Sequence, residues 1–217
     1  MAHHSKIYTP KKEEEYIAPF GPVMGYKKMT PTFLRKMNEL MNPDLEDWSD
    51  KLVGKVKQEL KFSKEIEQLW HNEFAQFIGR FHNYVEYRHS FGETKLDIEN
   101  FNHGIQIASG WFVRQFENEY NPLHIHTGAR MSCVGYLKLP KGMTNNKMVK
   151  NKKLKTNGTI DFINGQRGFL SKSIYNVLPK VKDLLIFPNY LMHTAYPFNI
   201  DGERRSFSFN VKINYKK

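Results

Sequence analysis

The run Arg204-Arg205-Ser206-Phe207-Ser208-Phe209-Asn210-Val211, near the end of the chain, alternates with a period of two. Side chains two apart in a strand share a face. Arg204, Ser206, Ser208 and Asn210 therefore fall on one face, and Arg205, Phe207, Phe209 and Val211 on the other. Such a strand needs a core on one side and a wet, lined space on the other. That excludes a purely helical fold and points to a sheet that encloses something. An arginine facing such an interior needs an anionic partner, and a small dicarboxylate would serve. Arg205 competes with Arg204 for that role.

The rest of the chain supplies the layers. Thr30-Pro31 reads as a helix start, with a hydroxyl N-cap followed by proline in the first turn. Phe33, Leu34, Met37, Leu40 and Met41 repeat at helical spacing, and Asn42-Pro43 ends the run. Leu45, Trp48, Leu52, Val56 and Leu60 give a weaker pattern of the same kind. Ser63 opens a long helix whose stripe is Ile66, Leu69, Trp70, Phe77, Ile78, Phe81 and Val85. These aromatics read as core, and His71, His82 and His89 as helix-surface or structural residues.

Near residue 101 the period changes from 3.6 to 2. Strands are predicted around Ile105–Phe116 (one or two, broken near Ser109-Gly110), at the His124 stretch, and through Tyr136. Others follow at 158–163, at 184–187, from His193 to Tyr196, and from Arg204 to Ile213. His103 precedes the first of them and reads as structural. The expectation is one domain over 1–217. It has an irregular lead-in at 1–28, helical support at 29–100 and a β core at 101–214. The class is mainly β with N-terminal helices, a helical layer supporting a sandwich or barrel.

Composition narrows the setting. At 217 residues, 40% apolar and 14% aromatic, the chain can bury one good-sized core. The single cysteine, Cys133, forms no internal disulfide; it reads as a small buried residue in a reducing compartment. There is no apolar signal-like start, and no run approaches the roughly 20 residues of a spanning helix. A cytoplasmic protein without a membrane partner is expected. The net charge of +11 is concentrated in the lysine-rich segment 143–156 and the C-terminal tail. Those read as solvated segments, with nucleic-acid binding not favoured.

The residues with chemistry are few. His124 and His126 are two apart in an extended stretch, so both can aim at one point. His193 lies 11 residues before Arg204, a separation that suits a hairpin carrying the two on paired strands. Three imidazoles on one face suit iron, zinc, copper or nickel, with positions left open for a substrate or O₂. Asp161 and Glu203 are stray carboxylates that could join them.

Five segments in order resemble a known group. They are His124-Ile125-His126, Ser132 to Leu137, Gly158 to Phe162, Leu184 to Pro188 with His193 five beyond, and Gly202 to Asn210. Over about residues 103–213 they look like the 2-oxoglutarate/iron(II)-dependent oxygenases, in a largely uncharacterised branch with many bacterial and phage members. The resemblance implies a double-stranded β-helix, or jelly roll, with iron(II) and 2-oxoglutarate at its mouth. The cell would be a bacterium or a phage-infected host. His124, His126 and His193 match the metal positions. Arg204 matches the arginine that pairs with the far carboxylate of 2-oxoglutarate, Ser206 completes Arg-x-Ser, and Tyr136 would hydrogen-bond the co-substrate. The implied reaction hydroxylates a substrate that the sequence does not identify, consuming O₂ and releasing succinate and CO₂. The wider superfamily has His-x-Asp or His-x-Glu where this chain has His-x-His. Two alternatives stand beside it: a cupin-like three-histidine metalloprotein indifferent to 2-oxoglutarate, and a non-enzymatic basic jelly roll that binds nucleic acid.

Overall fold

The computed structural model describes residues 13–17, 21–89, 103–143, 156–166, 168–169 and 172–215. Most of the lysine-rich segment 143–156 and the side chains of His89 and His103 lie outside the described residues. In chain order come β1 (Glu14–Ile17), β2 (Met24–Lys28), helix α1 (Pro31–Leu40), a 3₁₀ turn (Ser49–Lys51), β3 (Gln58–Lys61) and helix α2 (Lys64–His89). Then follow β4 (His103–Gln115), β5 (Asn121–His124), β6 (Met131–Lys138), β7 (Ile160–Ile163) and β8 (Ile174–Val177). The chain ends with β9 (Asp183–Pro188), β10 (Met192–Ala195) and β11 (Arg204–Tyr215). No described helix is long and apolar enough to cross a membrane.

The strands form two antiparallel sheets, the layers of a jelly roll. The larger has the order β1-β2-β9-β6-β11-β4-β3, and the smaller β5-β10-β7-β8. β11 is central, paired with β4 on one side and β6 on the other. Its alternation sorts the molecule as expected. Phe207, Phe209 and Val211 pack into the cluster shared with α1 and α2, while Arg204, Ser206, Ser208 and Asn210 line a cavity between the sheets. A second apolar cluster, with Tyr136, Phe162 and Phe187, joins the two sheets.

Both predicted helix starts are built from side-chain caps. The Thr30 hydroxyl accepts from Phe33 N at 3.1 Å, and Ser63 Oγ accepts from Ile66 N at 3.4 Å. Each satisfies a backbone donor that the first turn leaves unpaired. Phe33 and Phe74 meet edge to face at 4.9 Å, and Trp70 meets Phe209 at 4.7 Å. Aromatic contacts therefore hold the helical layer to β11.

Four expectations need correction. The 1–28 lead-in is not irregular throughout: β1 and β2 form a hairpin whose second strand pairs with β9. Its partner is remote in sequence, and Gly25 interrupts the short apolar run. The pattern from Leu45 to Leu60 is not helical, because Asp47 turns the chain by accepting from Ser49 N at 2.8 Å, and β3 then pairs with β4. The 105–116 region is one strand as far as Gln115, with a register shift against β11 at Ala108. Gly110 is not a break in it but the place where the Phe62 ring lies against β4, in space that a Cβ would fill. Finally, His193 and Arg204 are not on paired strands, since β10 belongs to the small sheet and β11 to the large one. Both line the cavity between the sheets. β8, with Ile174 as its exposed first residue, had no alternation strong enough to be read.

The helix–sheet contact gives a direct test. Phe74 is fully buried and packs against Phe33, Trp70, Phe207 and Phe209. Phe74→Ala should cost about 3–5 kcal/mol, the range for truncating a core phenylalanine, read as a lower midpoint in urea unfolding.

Candidate metal centre and active site

The three predicted histidines come together. His193 pairs directly with His124 across β10 and β5, so their side chains share the inward face of the small sheet. His126 lies two residues beyond His124, where the loop is tied by Asn189: His126 N donates to Asn189 O at 2.9 Å, and Asn189 Nδ2 donates to His126 O at 3.1 Å. One ring nitrogen of each histidine lies within 4.8 Å of the others. Among the described residues no carboxylate joins this cluster.

The other ring nitrogen of each is fixed. His124 Nδ1 contacts Pro122 O at 2.7 Å and His193 Nδ1 contacts Leu191 O at 2.9 Å. Carbonyl oxygens only accept, so both Nδ1 atoms carry the proton. His126 Nδ1 meets Asn210 Oδ1 at 2.7 Å. That oxygen also accepts from Ser132 Oγ at 2.7 Å, while Asn210 Nδ2 donates to Ser109 Oγ at 3.0 Å. The amide orientation, assigned from this network, makes His126 Nδ1 a donor too. All three Nε2 atoms then present lone pairs inward. His124 Nε2 and His126 Nε2 face each other at 3.3 Å, two acceptors with no hydrogen between them. A cation reconciles them, and ligand bonds of about 2.1 Å would span that gap. The donor set fits a divalent transition metal.

The protonation states suit ligation. Burial pushes His126 down to about 4, partly offset by the hydrogen bond to Asn210. Burial, with the fields of His124 and His126, pushes His193 down to about 3. Burial lowers His124 as well. Neutral imidazole is the metal-binding form.

Arg204 lies on the other sheet, 2% exposed. Nη1 donates to Gly158 O at 3.2 Å, and Nε is buried with no partner. Among the described residues no carboxylate pairs with it. Burial lowers its pKa, yet arginine stays charged. An unpaired buried cation is costly, so this guanidinium is prepared for an anion brought from outside. Ser206 lies beside it on the cavity wall. Tyr136 lies next to Arg204. It is fully buried, off the cavity wall, with its ring 5.2 Å from the Arg204 guanidinium. It supports the arginine from behind.

The competing readings separate cleanly. Arg205 faces the helical side, held by Glu203 at 2.8 Å and Asn38 at 3.0 Å. Glu203 also pairs with Arg114 and Lys138. Burial opposes its ionisation, but Arg205 and Arg114 overcome that and hold its carboxyl down at about 2. Asp161 is engaged by Asn176 and Tyr196. Cys133 is buried, and burial raises its thiol well above the ordinary value. None of these is free to act at the centre. Sequence reasoning missed the roles of Asn210 and Glu59. Asn210 was legible as a cavity-facing residue but not as the partner of His126. Glu59, on β3, lines the same cavity, and burial, with the charge of Asp47, raises its carboxyl to about 7.

The family described as "Putative 2OG-Fe(II) oxygenase" matches residues 109–210, which hold all three histidines and Arg204. Over that segment, a little under half of the chain, the sequence matches this family. It is a 2-oxoglutarate- and iron(II)-dependent oxygenase, with iron(II) as cofactor and 2-oxoglutarate and O₂ as co-substrates. No curated protein matches the chain. Solved structures share the fold. HygX from Streptomyces hygroscopicus, solved with nickel and 2-oxoglutarate, aligns with a TM-score of 0.53 at 10% identity, covering 87% of this chain and 82% of its own. AviO1 from Streptomyces viridochromogenes aligns at 0.52 and 10% identity, covering 87% and 89%. SnoN, a non-heme alpha-ketoglutarate-dependent epimerase of nogalamycin biosynthesis, aligns at 0.51 and 10%, covering 88% and 81%.

The depressed histidines give the oxygenase a signature in its metal-free form. Unfolded histidine titrates near 6.5. Because the folded values are lower, the unfolded chain takes up protons first. Stability is therefore present above about 6.5 and is lost as pH falls toward the folded value of about 3. His193→Gln should reduce the acid dependence of unfolding by close to one proton. An unchanged slope would contradict the neutral, buried imidazole.

Proposed function

We propose that this oxygenase is a hydroxylase whose iron(II) is held by His124, His126 and His193 alone, with Arg204 and Ser206 receiving the distal carboxylate of 2-oxoglutarate. The observation that carries the reading is the facing pair of unprotonated Nε2 atoms at 3.3 Å, across the cavity from a buried arginine without a counter-ion. Iron(II), when bound with 2-oxoglutarate, supplies O₂ activation, and the overall change converts a substrate C–H to C–OH with succinate and CO₂ released. The chain's own residues bind, orient and enclose. The Nδ1 hydrogen bonds to Pro122, Leu191 and Asn210 hold the imidazoles in one tautomer. Partners of this kind fix ring orientation and ligand basicity. Arg204 offers a charge-assisted bond to a carboxylate in a site shielded from water, where its strength is greatest. Three neutral ligands leave the metal one charge more positive than a set with a carboxylate would.

Calorimetry of 2-oxoglutarate binding to manganese(II)-loaded protein tests the arginine. Arg204→Ala should weaken binding about 10²–10³-fold, the scale of removing one partner of a buried charge pair, while manganese still binds. Equal 2-oxoglutarate affinity in the variant would contradict its role. For the metal, His193→Ala should abolish stoichiometric iron(II) binding and succinate formation. Asn210→Ala should lower metal affinity about 10–100-fold, as loss of an orienting partner does. Full succinate production by His193→Ala would refute the ligand assignment.

A further inference from the structure

One wall of the cavity carries a buried carboxyl group that oxygen activation and 2-oxoglutarate binding leave unused. Glu59 is 2% exposed, lines the cavity, and has a buried Oε2 with no hydrogen-bond partner among the described residues. The register sets it in a row. Glu59 is opposite Val113, Val113 opposite Ser206, and Ser206 opposite Tyr136. Strands lie about 4.8 Å apart, so Glu59 is two strands, roughly 10 Å, from Ser206, toward the β3 edge of the sheet. The arginine end and the glutamate end of the cavity are thus different places.

A second acceptor converges on the same spot. Asn121 Oδ1 is also buried without a partner among the described residues. The point that a Cβ on Gly54 would occupy lies 2.6 Å from Asn121 Oδ1 and 2.8 Å from Glu59 Oε1. The missing side chain at Gly54 keeps this space open. Among the described residues, Lys51, which also lines the cavity, pairs with Asp50 at 2.7 Å, and Lys61 pairs with Glu46 at 2.9 Å. Trp48, Leu52 and Val53 supply apolar wall around it.

We propose that Glu59 and Asn121 form the substrate subsite of this enzyme and that it takes a protonated primary amine; the proposal rests on the oxygenase reading above. An ammonium group has three donors and no acceptor, so it satisfies two convergent oxygens at once. It supplies the counter-charge that a buried carboxylate lacks. A hydroxyl leaves that charge unpaired, and a carboxylate or phosphate is repelled. The substrate class is therefore a small molecule with an amino group, oriented by that group toward the histidine cluster.

The test is saturation-transfer NMR on the zinc(II)- and 2-oxoglutarate-loaded protein, with n-butylamine, n-butanol and n-butyrate as probes of equal length. n-Butylamine should bind at least ten-fold more tightly than n-butanol, with n-butyrate weakest. Glu59→Gln should bring the amine-to-alcohol ratio close to one. Gly54→Ala, whose methyl takes the space between the two oxygens, should do the same while Glu59 stays in place. Equal binding of the probes, binding of none, or a preference that survives Glu59→Gln overturns the proposal. 2-Oxoglutarate affinity measured on the same samples separates the two readings. If 2-oxoglutarate fails to bind but the amine preference holds, the oxygenase reading falls and the amine subsite stands. The reverse result removes the subsite alone.

Discussion

The two-faced character of β11 is the constraint on which the rest depends. Its outer side chains, Phe207, Phe209 and Val211, are fully buried against the helical layer. That burial fixes which way the strand faces, because a slip of one residue would exchange the two faces. With the orientation fixed, Arg204, Ser206, Ser208 and Asn210 point into the space between the sheets. Packing energy on one side thereby holds an unpaired cation and a histidine partner on the other. β4 and β6 flank β11 along most of its length, so the polar face rests on a rigid sheet rather than a loop.

The centre is assembled from unfavourable pieces that complement absent groups. Three imidazoles are kept neutral by burial, with lone pairs converging. Among the described residues, a guanidinium is buried without an anion and a carboxyl group is buried without a cation. Each costs stability in the free protein, and each is relieved by a ligand of opposite character. The costs are separated in space: the histidines are on the small sheet and its adjoining loop, Arg204 is on the central strand, and Glu59 is on the edge strand β3. That separation lets one cavity of about 340 Å³ present three distinct chemistries.

Much of this was legible in the sequence. Period-two alternation from Arg204 onward identified the cavity-facing residues, and the spacing of His124 and His126 identified a convergent pair. Thr30-Pro31 and Ser63 marked helix starts that the caps explain. What was hidden depends on partners far along the chain. β2 has meaning only against β9, and Glu59 only against Val113 and Asn121. The apolar residues from Leu45 to Leu60 mimic a helix because their period cannot register the turn at Asp47 and Ser49. His193 and Arg204 are close in sequence, yet they lie on different sheets and line the cavity between them rather than pairing along a hairpin, a fact of topology that no local spacing encodes.

In the proposed centre, three histidines, without a carboxylate, hold iron(II) with positions left for 2-oxoglutarate. Anaerobic titration of metal-stripped protein with iron(II) and then 2-oxoglutarate tests it most directly, through the weak visible charge-transfer band of the chelate. The wild type should show a band that saturates at one 2-oxoglutarate per iron and is absent in His193→Ala. Stoichiometric iron binding with no band at any 2-oxoglutarate concentration would contradict it.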